Sequence, residues 1–79
     1  MHRATEELVT GIVEHAGLYE SPVGELNRCV VLLRVGAAPR MLVFDADVRE
    51  HLPLGRRVQI RYRPAPGENT FTLLERKLL

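Results

Sequence analysis

The chain has 79 residues, of which 46% are hydrophobic and 27% are charged, and its formal net charge is +1. This composition excludes a disordered chain and predicts one small domain over residues 1–79. The one cysteine excludes an internal disulfide and a cysteine-based zinc site, and no apolar run approaches the roughly 20 residues that a membrane helix needs.

The first half of the chain contains three predicted strands, separated by segments rich in glycine and proline. The first strand covers residues 7–16, with Gly11 in its middle, where a strand glycine often marks a bulge or a sharp bend. A loop over residues 17–26 precedes the second strand, at residues 27–35. After a short turn, the third strand covers residues 40–45.

The second half contains a helical turn and two further strands. Asp47 is followed three residues later by Glu50, a spacing that predicts a helix start with the aspartate as N-cap. Because a proline follows closely, we expect one turn only, over residues 48–52. Strands four and five are predicted at residues 57–63 and 70–78, joined by a turn rich in proline and glycine.

The order of these elements indicates an all-β fold, a five-stranded small barrel with one short helical turn between strands three and four. It resembles the OB-fold over residues 6–78, with a glycine in the first strand and an L-x-x-G-x-x-V-x-I-x-Y pattern leading into the fourth. The residues of that pattern are Leu52, Gly55, Val58, Ile60 and Tyr62. An SH3-like barrel and a TOBE-like anion-binding domain remain alternatives.

The alternation in strand four predicts its two faces. Val58, Ile60 and Tyr62 point towards the core, and the arginines and the glutamine between them point outwards. A half-solvated strand needs polar residues outside, so this alternation alone does not predict a binding site.

Strands two and three have more apolar residues than one core face requires. Residues 29, 31, 33 and 35 form the predicted core face of strand two, yet Val30 and Leu32 on the opposite face are also apolar. We therefore expect an outer apolar patch of Val30 and Leu32 with Leu42 or Phe44, bordered by arginines. Such a patch predicts a protein partner or a homo-oligomer, unless the loop at 17–26 or the C-terminal leucines cover it.

Binding of single-stranded DNA or RNA is the other predicted function. Resemblance to the OB-fold implies that oligonucleotides sit on strands two and three. The candidate phosphate-binding residues are Arg28, Arg34, Arg40, Arg61 and Arg63. Tyr19 is the candidate for base stacking, in the first long loop. The low net charge argues against strong electrostatic capture of nucleic acid.

Catalysis is not expected, because no convergent set of titratable groups is visible. Cys29 lies in the middle of a strand on its apolar face, where a cysteine usually behaves as a small hydrophobic residue. The acidic residues and histidine between positions 45 and 51 follow no known metal-ligand spacing. We therefore expect a non-enzymatic protein without metal or cofactor. No signal peptide is visible, so we also expect a cytoplasmic protein that does not contact membranes.

Overall fold

Five strands close into a barrel of OB-fold-like architecture. The computed structural model describes residues 5–20, 27–67 and 69–79. Its elements are β1 (Glu7–Glu20), β2 (Asn27–Val35), β3 (Ala38–Phe44), a 3₁₀ turn (Arg49–His51), β4 (Arg57–Pro64) and β5 (Phe71–Leu78). The strand order around the barrel is β1-β2-β3-β5-β4, with β4 closing on β1. The predicted all-β class, strand number and element order are confirmed.

β1 is long enough to pair with two strands in succession. Residues 7–12 pair antiparallel with β4, and residues 12–20 pair antiparallel with β2. A bulge at Glu14 shifts the register with β2 between Val13 and His15. Because a bulge bends its strand and increases the local twist, β1 can belong to both sides of the barrel. The prediction ended this strand at residue 16 and was too short.

Gly11 marks a close approach of two backbones rather than the bulge. It is buried and pairs with Val58 in an unbroken register. A Cβ atom at this position would lie 2.7 Å from the carbonyl oxygen of Arg34, which is closer than real Cβ atoms come to a backbone atom. Glycine therefore allows β1 and β2 to approach here, and the irregularity of the strand lies at Glu14 instead.

The interior of the barrel is apolar, and the predicted core faces of β2 and β4 are confirmed. The buried apolar side chains are Val9, Val13, Cys29, Val31, Leu33, Leu42, Phe44, Val48, Leu52, Val58, Ile60 and Tyr62. The ring of Tyr62 contacts Phe44 and Phe71 edge to face, with centroid distances of 6.2 Å and 5.0 Å. Aromatic pairs of this geometry add about 0.5–1.5 kcal/mol each to the gain from burial.

The helical turn is shorter than predicted and is capped differently. Its N-cap is Val48, which makes no side-chain capping bond. Asp47, the predicted N-cap, instead accepts the backbone N–H of Arg49 through Oδ1 at 3.0 Å and also binds the Arg49 side chain. The Arg49 side-chain and backbone donors hold the pKa of Asp47 at about 2. Within the described residues, no helix is long and apolar enough to cross a membrane.

Candidate functional site

The outer surface of β2 and β3 carries four adjacent apolar side chains. Leu32 lies opposite Met41, and Val30 lies opposite Val43, in the antiparallel ladder between the two strands. We call these four residues the outer apolar face. Met41 is 66% exposed, and the other three are half-buried. Residues directly opposite each other on one face have Cβ atoms about 4.5–5.5 Å apart, so the four side chains form one continuous patch.

The predicted contribution of Leu42 and Phe44 to this patch is wrong. Their side chains are 3% and 0% exposed and belong to the core. Because side chains alternate along a strand, the outward residues of β3 are Met41 and Val43. All four residues from 41 to 44 are apolar, so the alternation that identifies the outer face of β4 is missing in β3.

The second half of β1 borders the outer apolar face on the other side of β2. His15 lies opposite Leu32, and Gly17 lies opposite Val30. Gly17 has no side chain, and the imidazole of His15 lies over it, with Nε2 2.9 Å from where a Cβ of residue 17 would be. The C-terminal leucines do not cover the face, because Leu78 pairs with Val58 and the N–H of Leu79 donates to the carbonyl of Arg57. The other expected cover was the loop at residues 17–26. Its first four residues belong to β1, and residues 21–26 lie outside the described residues.

Three of the five predicted phosphate-binding arginines are ion-paired with glutamates. Arg34 binds Glu14 at 3.0 Å, and Arg40 binds Glu7 at 2.9 Å. Arg61 binds two glutamates, Glu75 at 2.8 Å and Glu6 at 2.7 Å, and these bonds raise its pKa. Exposed pairs of this kind contribute only about 0–1 kcal/mol to stability, but they neutralise charge locally. These three side chains would have to leave their glutamates in order to bind phosphate.

The structure brings together two of the predicted nucleic-acid-binding residues. Tyr19 and Arg28 lie directly opposite each other on β1 and β2, and both are exposed. The prediction assigned Tyr19 to a loop, whereas it lies on the extended β1 with 66% of its surface exposed. Arg63 is separate from this pair, because it lies on β4 opposite Thr72. The candidate arginines therefore do not share one surface.

A hydrogen-bonded cluster at one end of the barrel was not predicted from the sequence. The hydroxyl of the buried Tyr62 donates to Glu7 at 2.6 Å. Arg40 donates to the Tyr62 hydroxyl at 2.8 Å and to the Glu7 carboxylate at 2.9 Å, so the cluster joins β1, β3 and β4. Burial and the bond to Glu7 raise the pKa of Tyr62 to about 12. The hydroxyl of a core tyrosine usually needs a hydrogen-bond partner. A tyrosine on the inward face of β4 was therefore the sequence feature that could have indicated such a cluster.

The acidic segment around the 3₁₀ turn is engaged in local contacts. Asp47 is held by Arg49, and Asp45 accepts a hydrogen bond from the Thr72 hydroxyl at 2.7 Å. In the part of the chain that the structure describes, no three histidine, cysteine, aspartate or glutamate side chains are placed to share a metal ion. Cys29 is a free, buried cysteine in the core.

No protein-family model matches the chain, and a search of the curated proteins finds no match. Function is therefore inferred from two surface features. One is the outer apolar face, and the other is the pair of Tyr19 and Arg28 at its end. Both lie on the sheet formed by β1, β2 and β3, so one side of the barrel carries both candidate sites.

Proposed function

We propose that the protein is a small binding module that associates with a second copy of itself through the outer apolar face. The observation that supports this proposal is the continuous outward-facing patch of Val30, Leu32, Met41 and Val43, of which Met41 is exposed and the other three are half-buried. Apolar patches on the surface of a soluble domain typically mark association sites. A chain of this size also has a small core, so burying the patch against another subunit would add stability.

Electrostatics favour a second copy as the partner. In a two-fold symmetric dimer, the same patch meets itself, so an excess of one charge would cause repulsion. The neighbouring Arg34 is paired with Glu14, and the patch itself has no charged member. Two copies can therefore approach with their apolar side chains in contact and with Arg28 at the edge.

Met41→Glu is expected to abolish self-association of the chain while leaving its fold intact. Met41 is 66% exposed in the single chain, so a glutamate there remains solvated, whereas in the dimer it would be buried without a partner. Leu54→Glu is the matched control, because Leu54 is also 66% exposed but lies in the turn before β4. Sedimentation equilibrium should show dimers for the wild-type and control chains and monomers for Met41→Glu. A wild-type chain that stays monomeric at millimolar concentration would refute the proposal.

Single-stranded nucleic acid is a second candidate ligand, supported by the pairing of Tyr19 with Arg28. An exposed tyrosine beside an arginine can stack on one base and contact the adjoining phosphate. Loss of such a stacking contact costs about 1–3 kcal/mol. Since three of the other four candidate arginines are ion-paired with glutamates, we expect weak binding with a shallow salt dependence.

Tyr19→Ala and Arg28→Ala are each expected to weaken binding of a labelled oligothymidylate or oligouridylate, measured by fluorescence anisotropy at low and moderate salt. Arg61→Ala serves as the control, because Arg61 is already bound by Glu6 and Glu75. It should leave the affinity nearly unchanged. If the wild-type chain binds neither oligonucleotide at low salt, nucleic acid is eliminated as a ligand. An equal loss in all three variants would indicate a diffuse charge effect instead.

A further inference from the structure

β5 has a free edge along most of its length. One side of the strand pairs with β4 from Phe71 to Leu78. The other side meets β3 at a single pair, Phe44 with Phe71, followed by a bond from the Asp45 N–H to the Phe71 carbonyl at 2.9 Å. Beyond Asp45 the chain turns away into the 3₁₀ turn. Residues 73–78 therefore have no ladder partner on this side among the described residues.

A cleft of about 400 Å³ lies beside this free edge. Residues 73–76 of β5 line one wall, and residues 46–48 and His51 line the other. The volume is within the range of roughly 300–1,000 Å³ that is usual for ligand sites. Both leucines at positions 73 and 74 are half-buried, so the wall formed by β5 includes apolar side chains as well as backbone.

A free strand edge next to an open cleft is suited to an extended peptide. Unpaired backbone N–H and C=O groups can form a ladder with an added strand, and the alternate side chains provide specificity. β5 also has features that limit uncontrolled pairing. Leu74 is a bulge residue without an opposite partner on β4, and charged residues occupy positions 75–77. Such features restrict aggregation at edge strands.

The charges at the edge favour an acidic segment. Glu75 is bound by Arg61, and Asp47 on the opposite wall is bound by Arg49. Arg76 and Lys77 have no ion pair with any described residue. Arg76 is half-buried and lines the cleft. Arg76 is therefore a cation of the cleft wall that has no ion-pair partner among the described residues, and it lies close to the apolar positions 73 and 74.

A second copy of β5 is a poor occupant of the same edge. Two strands related by a two-fold axis pair antiparallel, and outward residues lie opposite outward residues. Glu75 and Lys77 point outwards, opposite Arg61 and Gln59 on β4, whereas Arg76 points to the other side. Pairing Glu75 with Lys77 of the copy places Arg76 opposite itself, and the registers centred on Glu75 or on Lys77 place that residue opposite its own copy. Like charges in these positions are destabilising.

We propose that the free edge of β5 binds an extended, acidic segment of a partner protein, which adds to the barrel as a further strand beside the 3₁₀ turn. Acidic side chains on one face of that segment contact Arg76, which lines the cleft, and its apolar side chains lie on the other face of the added strand. This site is distinct from the outer apolar face and does not depend on the function proposed for that face.

The probe is an acetylated and amidated octapeptide of alternating glutamate and valine, titrated into the full chain. Nuclear magnetic resonance should show shifts at residues 73–78 and 46–51, together with slower amide exchange along β5. Arg76→Glu is expected to weaken binding about tenfold or more, because it reverses the charge that faces the peptide. The same variant should gain affinity for the matching peptide of alternating lysine and valine.

Arg57→Glu is the control for net charge, because Arg57 is exposed on β4 and does not line the cleft. It should bind the acidic peptide nearly as well as the wild-type chain. Equal weakening by Arg57→Glu and Arg76→Glu would overturn the proposal, as would shifts centred on Val30 and Leu32. Absence of binding to the acidic peptide at millimolar concentration would also overturn it.

Discussion

Phe44→Ala is expected to lower the free energy of unfolding by about 3–5 kcal/mol, the usual cost of removing a core aromatic ring. Phe44 is fully buried, pairs with Cys29 and Phe71 on the neighbouring strands, and packs its ring against Tyr62. It also lies at the single ladder pair between β3 and β5. Small domains have a total stability of about 5–15 kcal/mol, so this substitution removes a large part of it. Urea denaturation followed by circular dichroism measures the change.

Met41→Ala is the matched control for Phe44→Ala. The two residues belong to the same strand, but Met41 is on the outer apolar face and is 66% exposed. Its truncation should change the stability of the monomer by no more than about 0.5 kcal/mol. Comparable losses for the two variants would contradict the placement of the two faces of β3. The comparison therefore tests the boundary between the core and the proposed interaction surface.

The stability of the fold is expected to fall between pH 10 and about pH 12 as Tyr62 ionises. Burial and the hydrogen bond to Glu7 raise the folded-state pKa from 10.0 to about 12, so the folded state favours the neutral phenol. This contribution is complete below pH 10, the unfolded-state value, and is lost as the pH rises through the folded-state pKa. A shift of this size corresponds to about 2–3 kcal/mol.

Tyr62→Phe distinguishes this effect from general alkaline unfolding. At neutral pH the variant is expected to lose about 1–2 kcal/mol, because the hydrogen bonds to Glu7 and from Arg40 disappear. Since phenylalanine does not ionise, the loss between pH 10 and 12 should be smaller, and the two stability curves should cross. Denaturation midpoints across this pH range provide the measurement.

Tyr19→Phe provides the background for observing Tyr62 directly, because the chain has only two tyrosines. In this variant, phenolate absorbance should follow the ionisation of Tyr62 alone. A titration midpoint close to pH 10 in the folded protein would show that the cluster with Glu7 and Arg40 does not stabilise the neutral form of Tyr62. Parallel stability curves for the wild-type chain and the Tyr62→Phe variant would show the same.

Much of the fold is encoded locally in the chain. Alternation of apolar and polar residues identified Val58, Ile60 and Tyr62 as inward, and all three are completely buried. The predicted bounds of β2 agree with the structure, and the other elements differ mainly at their ends. β1 was predicted too short because its second half contains Gly17 and Tyr19, whose extended conformation depends on pairing with β2.

The candidate site was less predictable, because it depends on which residues of β3 face outwards and on contacts between distant residues. Val30 and Leu32 were identified correctly as outward, since their strand has arginines on the same face. Their partners Met41 and Val43 were not identified as outward, because residues 41–44 of β3 are all apolar and show no alternation. The glutamates that bind the arginines are also remote in sequence, as with Arg61 and Glu6.

The sequence by itself determined the all-β class, the order of the strands and the inward faces of β2 and β4. Local alternation and turn residues encode these features, and they do not depend on distant partners. Only the tertiary structure decided the orientation of β3, the neutralisation of Arg34, Arg40 and Arg61, and the free edge of β5. These features depend on how the barrel closes. Closure brings strands that are distant in sequence next to each other, and it leaves part of the β5 edge unpaired.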